Sequence, residues 1–506
     1  MAAETHEDSV DYAHTDADSD SHTDAGSDCH TDADTDCHTD ADTDRHTDAE
    51  SECDTDADSG CDVDPYTIVP FDSDFLRTWA TSVRHGLTDG DNDDAKGKEK
   101  ATPVECTDVL DPLSGSYNFV FPLQFSDGVR WALKVPQDAA REGFDAADAE
   151  DLTTEALTLR CLKKHTTIPV PEVHQFHAGM DNSLKYPYIL TDFIDGIPLP
   201  KVWFDSSTPS DVLHSRRMRA LQGIAEAMVQ LSKFTYPLGG SPQFDSEGRL
   251  SGVGPMRELD MAASLKNQRA GDDSDVCCTL GPFTSAMPCL LAFLDRQEPP
   301  EDDFVNGTNM LLRLFIGWLS ELEGFDSQEF VLAHPDPDIQ NILVTEEGEV
   351  CGIIDWQGVS VDPDCLGSLC YPSFLTRDWD PMCYRYDPND EDVKEDSPEE
   401  LQSFRAAYRD MVEKLLSSEG RKSSPWTRRS LMIQNLKIAA DNPIATVHIV
   451  KCIFGEIKKS REEPLEVDGE ELHFYEIACD LADDCVDEDA IEVIKDRFLH
   501  LCNSCS

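Results

Sequence analysis

Basic residues are scarce in this sequence. Against 102 Asp and Glu, the 506-residue chain carries only 41 Lys and Arg, for a formal net charge of −61. A surface this negative repels phosphates, so nucleic acid and anionic membranes are not expected as partners. Long apolar runs are scarce too, and none reaches the roughly 18 residues that span a bilayer. Residues 1–20 are polar and acidic, without the apolar stretch of a secretory signal. These absences lead to the expectation of a soluble cytoplasmic protein whose 18 cysteines stay reduced. The pairs Cys277–Cys278 and Cys502–Cys505 have no companion ligands at zinc-site spacing, so no zinc site is expected.

Large apolar residues are also few in residues 1–64, which hold 23 Asp or Glu and one Arg. Units beginning at His14, His22, His30, His38 and His46 each open His-Thr-Asp-Ala, a period of eight. Such a stretch buries too little apolar surface to offset chain entropy, and its like charges repel. The sequence therefore predicts a disordered acidic repeat tail over 1–64. It lacks the glycine-centred loop of an EF-hand, which leaves weak cation binding as the minor alternative.

The globular part starts near residue 65. Ile68, Phe71, Phe75, Leu76 and Trp79 suggest a leading helix, and 88–104 reads as a charged loop. Tyr117–Phe125 and Val129–Val135 alternate as strands around Ser126-Asp127-Gly128, a hairpin signal. Glu150–Lys164 has helical spacing, stopped by Ile168-Pro-Val-Pro171. Strands at Val173–Ala178 and Tyr188–Phe193 follow. The second half is mainly helical, at 211–235, 305–323, 400–420, 428–460 and 471–501. A polar insertion over 239–303 carries some helix at 282–295, and short strands fall at Phe330–Ala333, Ile342–Thr345 and Val350–Asp355. The fold class expected is α+β and two-lobed: 65–195 a small antiparallel sheet with one helix, and 196–506 a larger helical lobe.

Chemistry concentrates in His334-Pro-Asp-Pro-Asp-Ile-Gln-Asn-Ile-Leu-Val344 and Gly352-Ile-Ile-Asp-Trp-Gln-Gly358. Phosphoryl transfer needs a carboxylate to orient the acceptor hydroxyl, oxygen ligands for Mg²⁺ and a cation on the phosphates. Asp336 and Asn341 stand in the Asp-x4-Asn relation that supplies the first carboxylate and one ligand. Asp355, after an apolar strand, supplies a second ligand. Lys134 alternates with apolar neighbours in Trp-Ala-Leu-Lys-Val, as a cleft lysine should, and Glu155 on the next helix faces back to orient it. Ser114-Gly115-Ser116-Tyr117-Asn118 lies where a loop over the phosphates belongs, with a single glycine. His334 is read as structural, and Trp131, Trp203, Trp318 and Trp356 as core or lobe-interface residues.

These segments resemble the aminoglycoside phosphotransferase and choline kinase family, whose catalytic loop usually reads His-Gly-Asp-Leu-His-x-x-Asn-Ile-Leu-Val. Gly-Ile-Ile-Asp-Trp resembles its metal-binding strand. Tyr186-Pro-Tyr-Ile-Leu-Thr-Asp-Phe-Ile-Asp-Gly196 resembles its hinge, and Ile168-Pro-Val-Pro171 the segment after its first helix. The likeness covers roughly residues 110–380 and is nearest to fungal-type members of unassigned substrate. It implies a protein-kinase-like fold using ATP and Mg²⁺ on a small-molecule hydroxyl, an amine-bearing acceptor among the candidates. It implies Asp336 as catalytic base, Asn341 and Asp355 as metal ligands, and Lys134 on the phosphates, paired by Glu155. Gly115 and Ser116 would lie at the phosphates, and the backbone near Asp192 and Phe193 at the adenine. The loop departs from the pattern at Pro335, Pro337 and Asp338. The extra carboxylate of Asp338 could raise the pKa of its neighbour or bind a cationic substrate. The alternative is a catalytically silent kinase-like binding module.

Overall fold

The computed structural model describes residues 71–90, 104–115, 117–137, 139, 144–271, 276–325, 329–390 and 393–504. All of them belong to one compact unit, Asp58–Ser506. The acidic repeat tail, Ile68, Ser116 and most of the loop expected over 88–104 lie outside the described residues.

The first lobe comprises α1 (Ser73–Gly90), β1 (Cys106–Val109), β2 (Leu113–Ser114), β3 (Asn118–Phe125), β4 (Arg130–Pro136), α2 (Ala146–His165), β5 (Val173–His177) and β6 (Tyr188–Asp192). Its strands form one antiparallel sheet in the order β1-β3-β4-β6-β5, with β2 on β3. The pleat places alternate side chains on opposite faces. Phe119, Phe121, Leu123 and Phe125 of β3 and Trp131, Leu133 and Val135 of β4 pack in one cluster with Leu76, Trp79 and Ala80 of α1. The intervening residues of β4, Lys134 among them, therefore face the other way, toward α2. That helix begins earlier than the expected Glu150, because Asp145 caps it: its side chain accepts from the amides of Ala147 and Asp148, and Asp148 returns the bond. Leu152, Glu155, Leu159 and Leu162 are buried along it at helical spacing.

The second lobe begins with β7 (Ile197–Pro198), α3 (Leu199–Trp203), α4 (Ser210–Leu231) and β8 (Thr235–Tyr236). The insertion over 239–303 holds more regular structure than the sequence suggests. Its hairpin partners are β9 (Ser241–Phe244) with β10 (Leu250–Gly254) and β11 (Met256–Leu259) with β12 (Cys277–Leu280); its helices are α5 (Met261–Arg269) and α6 (Ala286–Leu291). Then follow α7 (Asp303–Trp318), β13 (Phe330–Ala333), β14 (Ile342–Val344), β15 (Val350–Ile353) and β16 (Ser360–Pro363). Two three-stranded sheets, β16-β13-β8 and β15-β14-β7, hold the segments that read as chemical. The helix expected over 428–460 is two, α9 (Pro425–Asp441) and α10 (Pro443–Lys459), after α8 (Pro398–Ser418). Pro443 lacks the N–H that would continue the first helix and occupies the first position of the second instead. The end of the chain also divides, into α11 (Phe474–Ala482) and α12 (Glu488–Ser504). Trp131, Trp203, Trp318 and Trp356 are all buried. Among the described residues, no helix is long and apolar enough to cross a membrane.

Two features yield stability tests. A Cβ on Gly307 of α7 would stand 1.6 Å from the carbonyl oxygen of Ala478 in α11, so only glycine lets these helices approach. Gly307→Ala is expected to cost about 3 kcal/mol in urea denaturation; an unchanged midpoint would contradict this packing. Glu258 on β11 has its carboxyl pushed up to about 7 by burial and by the carboxylates of Asp362, Asp441 and Asp151, with partial relief from Lys437. A folded pKa above the unfolded one means its stabilising contribution is full below about 4.5 and is lost as pH rises to about 7. Glu258→Gln should therefore gain stability relative to the parent chain across that window, by on the order of 2 kcal/mol. A difference that stays flat from pH 4.5 to 7.5 would exclude it.

Candidate active site

Four separated segments meet at one cleft. Lys134 Nζ donates to both carboxylate oxygens of Glu155, at 2.8 and 2.9 Å, and lies 3.3 Å from Asp355 Oδ1. The Lys134 and Glu155 side chains are 18% and 6% exposed, so both charges sit largely out of water. Burial alone would lower the lysine pKa; the Glu155 and Asp355 carboxylates outweigh it and hold the ammonium above its ordinary value. Asp355 is half exposed and has a left-handed backbone, φ +60°, which is costly for a residue with a Cβ and is typical of functional turns.

The catalytic-type loop is fastened by its own side chains. His334 is buried; its Nε2 faces the carbonyl of Ile354 at 2.9 Å, and its Nδ1 accepts the amide of Asp336 at 3.2 Å. A carbonyl can only accept and an amide can only donate, so the ring is neutral with its proton on Nε2. Burial pushes its pKa down to about 4, in keeping with that form. His334 thus ties the loop of Asp336 to the strand before Asp355. Asn341 Nδ2 donates to Asp336 Oδ2 and to the Asp336 carbonyl, both at 3.0 Å, which leaves its amide oxygen outside these bonds. The Asp336 carboxyl is pushed up to about 6, first by burial and next by the charge of Asp338, with Gln340 and Asn341 acting the other way.

Asp338 is not open to a cationic substrate. Arg377 Nη2 holds both its carboxylate oxygens, at 2.8 and 3.1 Å, while Nη1 holds Glu395 at 3.1 Å. No pattern near Asp338 marks Arg377, which lies 39 residues away in the chain.

The segments that the resemblance places at the phosphates and the adenine are less open than it implies. The Gly115 amide donates to the Asn118 carbonyl at 3.0 Å, and its own carbonyl accepts from Gln137 at 2.6 Å. Ser116 is not among the described residues. Asn118 Nδ2 donates to Gln357 Oε1 at 2.7 Å, joining the two rims of the cleft; the sequence reading did not anticipate this contact. At the hinge, the Asp192 and Phe193 amides donate to the carbonyls of Glu172 and Arg130, so neither N–H is open to a ligand. The Asp192 carboxylate lies 2.8 Å from His174 Nε2. The cavity beside Lys134 is about 50 Å³, lined among others by Tyr117, Asn118, Asp148, Glu155 and Gln357. Among the described residues, no group of three or more His, Cys, Asp or Glu is arranged to hold a metal ion.

A small antiparallel sheet with its helix joins a larger helical lobe, the two-lobed α+β arrangement expected from the sequence. The phosphotransferase enzyme family matches this sequence over residues 110–363, just over half of the chain, and the chain belongs to that family. A protein of Vanderwaltozyma polyspora named altered inheritance of mitochondria protein 9, mitochondrial, is 23% identical over 389 residues, 66% of this chain and 58% of that one. Its namesake in Candida dubliniensis is 29% identical over 156 residues, 30% of this chain and 24% of that one. A subtelomeric hrmA-associated cluster protein of Aspergillus fumigatus is 22% identical over 329 residues, 54% of this chain and 61% of that one. The matches thus span less than two thirds of each relative's length. Relatives named mitochondrial overturn the expectation of a cytoplasmic protein, which rested on composition and the scarcity of apolar runs.

Solved structures that resemble the chain include the GDP complex of wild-type aminoglycoside 2'-phosphotransferase-IIIa (14% identity, TM-score 0.37, 80% of this chain and 98% of that one). Another is the macrolide 2'-phosphotransferase MphH of Brachybacterium faecium (15%, 0.37, 82% and 100%). Likeness at this level carries nothing about a substrate.

Removing Arg377 would leave the Asp338 and Glu395 carboxylates facing each other without their cation. Arg377→Ala should lose about 3 kcal/mol of folding stability, and adding Asp338→Asn should restore part of it. Denaturation midpoints that agree for parent and single variant would refute the bridge as an anchor.

Proposed function

We propose that the chain is an ATP-dependent phosphotransferase that moves the γ-phosphoryl group to a hydroxyl of a small molecule. The observation that carries this is the meeting of Lys134, Glu155 and Asp355 at one cleft, together with Asp336 fastened by Asn341. In this reading Lys134, oriented by Glu155, holds the nucleotide phosphates. Asp336 accepts the hydrogen bond of the acceptor hydroxyl and takes its proton as the oxygen attacks. The residues present suit magnesium: the free amide oxygen of Asn341 and the half-exposed carboxylate of Asp355 are hard oxygen donors, and phosphate oxygens would complete the shell. Bound there, Mg²⁺ would neutralise charge developing on the phosphates.

The same proposal divides the chain at 195/196, with the nucleotide held by 65–195 and the acceptor by 196–506. A cavity of about 50 Å³ holds a water or two, so a triphosphate enters as the Asn118–Gln357 bond parts. With the Asp192 and Phe193 amides engaged, adenine would have to meet hinge carbonyls, of which that of Asp192 already accepts from Thr191 Oγ1 at 3.1 Å. An amine-bearing acceptor suits the acidic chain. The names of the relatives point to a mitochondrial setting. One observation favours the second reading, a silent nucleotide- or partner-binding module: the Gly115 amide and carbonyl are both engaged within the protein.

Two measurements decide. ATP with Mg²⁺ should raise the unfolding temperature of the parent chain, and Lys134→Met or Asp355→Asn should abolish the rise. Phosphate uptake across a metabolite panel should then find an acceptor, and Asp336→Asn should slow its transfer by at least about 10²-fold while still binding ATP. Stabilisation by ATP without uptake by any acceptor selects the silent nucleotide-binding module; neither effect in the parent chain ends the phosphotransferase reading and leaves only a partner-binding module.

A further inference from the structure

The cavity beside Lys134 has α2 as one wall, through Asp148, Asp151, Leu152 and Glu155. Two of these residues are carboxylates that the lysine does not reach. The cation that meets the first of them, Asp148, comes from more than a hundred residues further along the chain. Arg257, on β11 of the insertion, places Nη1 2.5 Å from Asp148 Oδ1 and 3.5 Å from Asp145 Oδ1. Asp145 and Asp148 are also the capping box of α2: Asp145 Oδ1 accepts the amides of Ala147 and Asp148, and Asp148 Oδ2 accepts the amide of Asp145. Arg257 therefore grips the carboxylates that fix where the helix starts. A second approach lies beyond Glu155, where a Cβ on Gly248, between β9 and β10, would stand 3.2 Å from Leu157 Cδ2. The insertion touches α2 on both sides of the residue that holds Lys134. Arg257 is itself set by backbone pairing, opposite Thr279 in the β11–β12 ribbon.

We propose that Arg257 is a positioning residue: through it the insertion clamps the first turn of α2 and keeps Glu155 on Lys134, so that nucleotide binding depends on the docked insertion. Kinase-like enzymes depend on where the glutamate-bearing helix stands, because the lysine is useful only when paired. A polar insertion of this length over a compact lobe thereby gains a mechanical role. It also supplies the only cation placed on Asp148 among the described salt bridges, at a wall that would face a triphosphate. The consequence for nucleotide rests on the phosphotransferase reading; the clamp on the helix does not.

The test uses the full chain as Arg257→Ala, Arg257→Lys, Glu155→Gln and the double variant Arg257→Ala/Glu155→Gln. Amide hydrogen exchange over 146–153 reads the clamp, and calorimetric titration with ATP and Mg²⁺ reads its consequence. Arg257→Ala should speed exchange in that segment and weaken ATP binding roughly tenfold, with Arg257→Lys recovering most of both. In the Glu155→Gln background, Arg257→Ala should add almost nothing, because its effect runs through that glutamate. Unchanged exchange in Arg257→Ala overturns the clamp whether or not the chain binds ATP. Faster exchange with unchanged ATP affinity, or a full loss on top of Glu155→Gln, overturns the link to Lys134. If the parent chain itself fails to bind ATP, the phosphotransferase reading falls and the exchange result alone decides the clamp.

Discussion

A lysine and a glutamate share one nearly water-free space, and much of the first lobe is arranged around that fact. A lone charge at either position would be expelled or neutralised, since burying an unpaired ion is far costlier than burying a pair. The strand must therefore put Lys134 on the face away from the Trp131–Leu133–Val135 core, and the helix must be in register to bring Glu155 to it. Strand parity and helix phase are set by different parts of the chain, one by α1 packing beneath the sheet and the other by the cap at Asp145. Asp355 reaches the same ammonium from the second lobe, so the pair is also a point at which the lobes touch.

The second lobe answers with rigidity. Pro335 and Pro337 fix the backbone beside Asp336, His334 fastens the loop to the strand of Asp355, and Arg377 fastens it to the segment before α8. The usual loop pattern has a glycine and a histidine where this chain has proline and aspartate. The structure shows a compensation: the added negative charge at Asp338 is matched by a cation from a distant segment.

Local pattern and topology divided what the sequence could reveal. The β3–β4 hairpin is legible because its turn and alternation are written in adjacent residues; Lys134 and Asp355 stand out among apolar neighbours, and Asp336 by its spacing to Asn341. The start of α2 was mistaken by four residues, although Asp145 and Asp148 carry a capping signal three apart. The break at Asn442-Pro443 is hidden in the same way: apolar periodicity runs through it, and one missing N–H decides against it. The ribbons of the insertion, Arg377 on Asp338 and Arg257 on α2 were not legible, because each depends on pairing between residues far apart. The closed amides of Gly115, Asp192 and Phe193 escaped notice because a sequence names donors without showing what they already bind.

Asp145 combines two tasks that are usually kept apart. It begins a helix, and it is one end of a tether to another part of the chain. Serine could begin that helix equally well, since a hydroxyl caps about as effectively as a carboxylate. It would bring no charge for Arg257, and the arginine would then hang on Asp148 alone. Position 145 is therefore more tightly constrained than any helix-start preference would indicate, and a repertoire of acceptable residues drawn from caps in general would overstate its freedom.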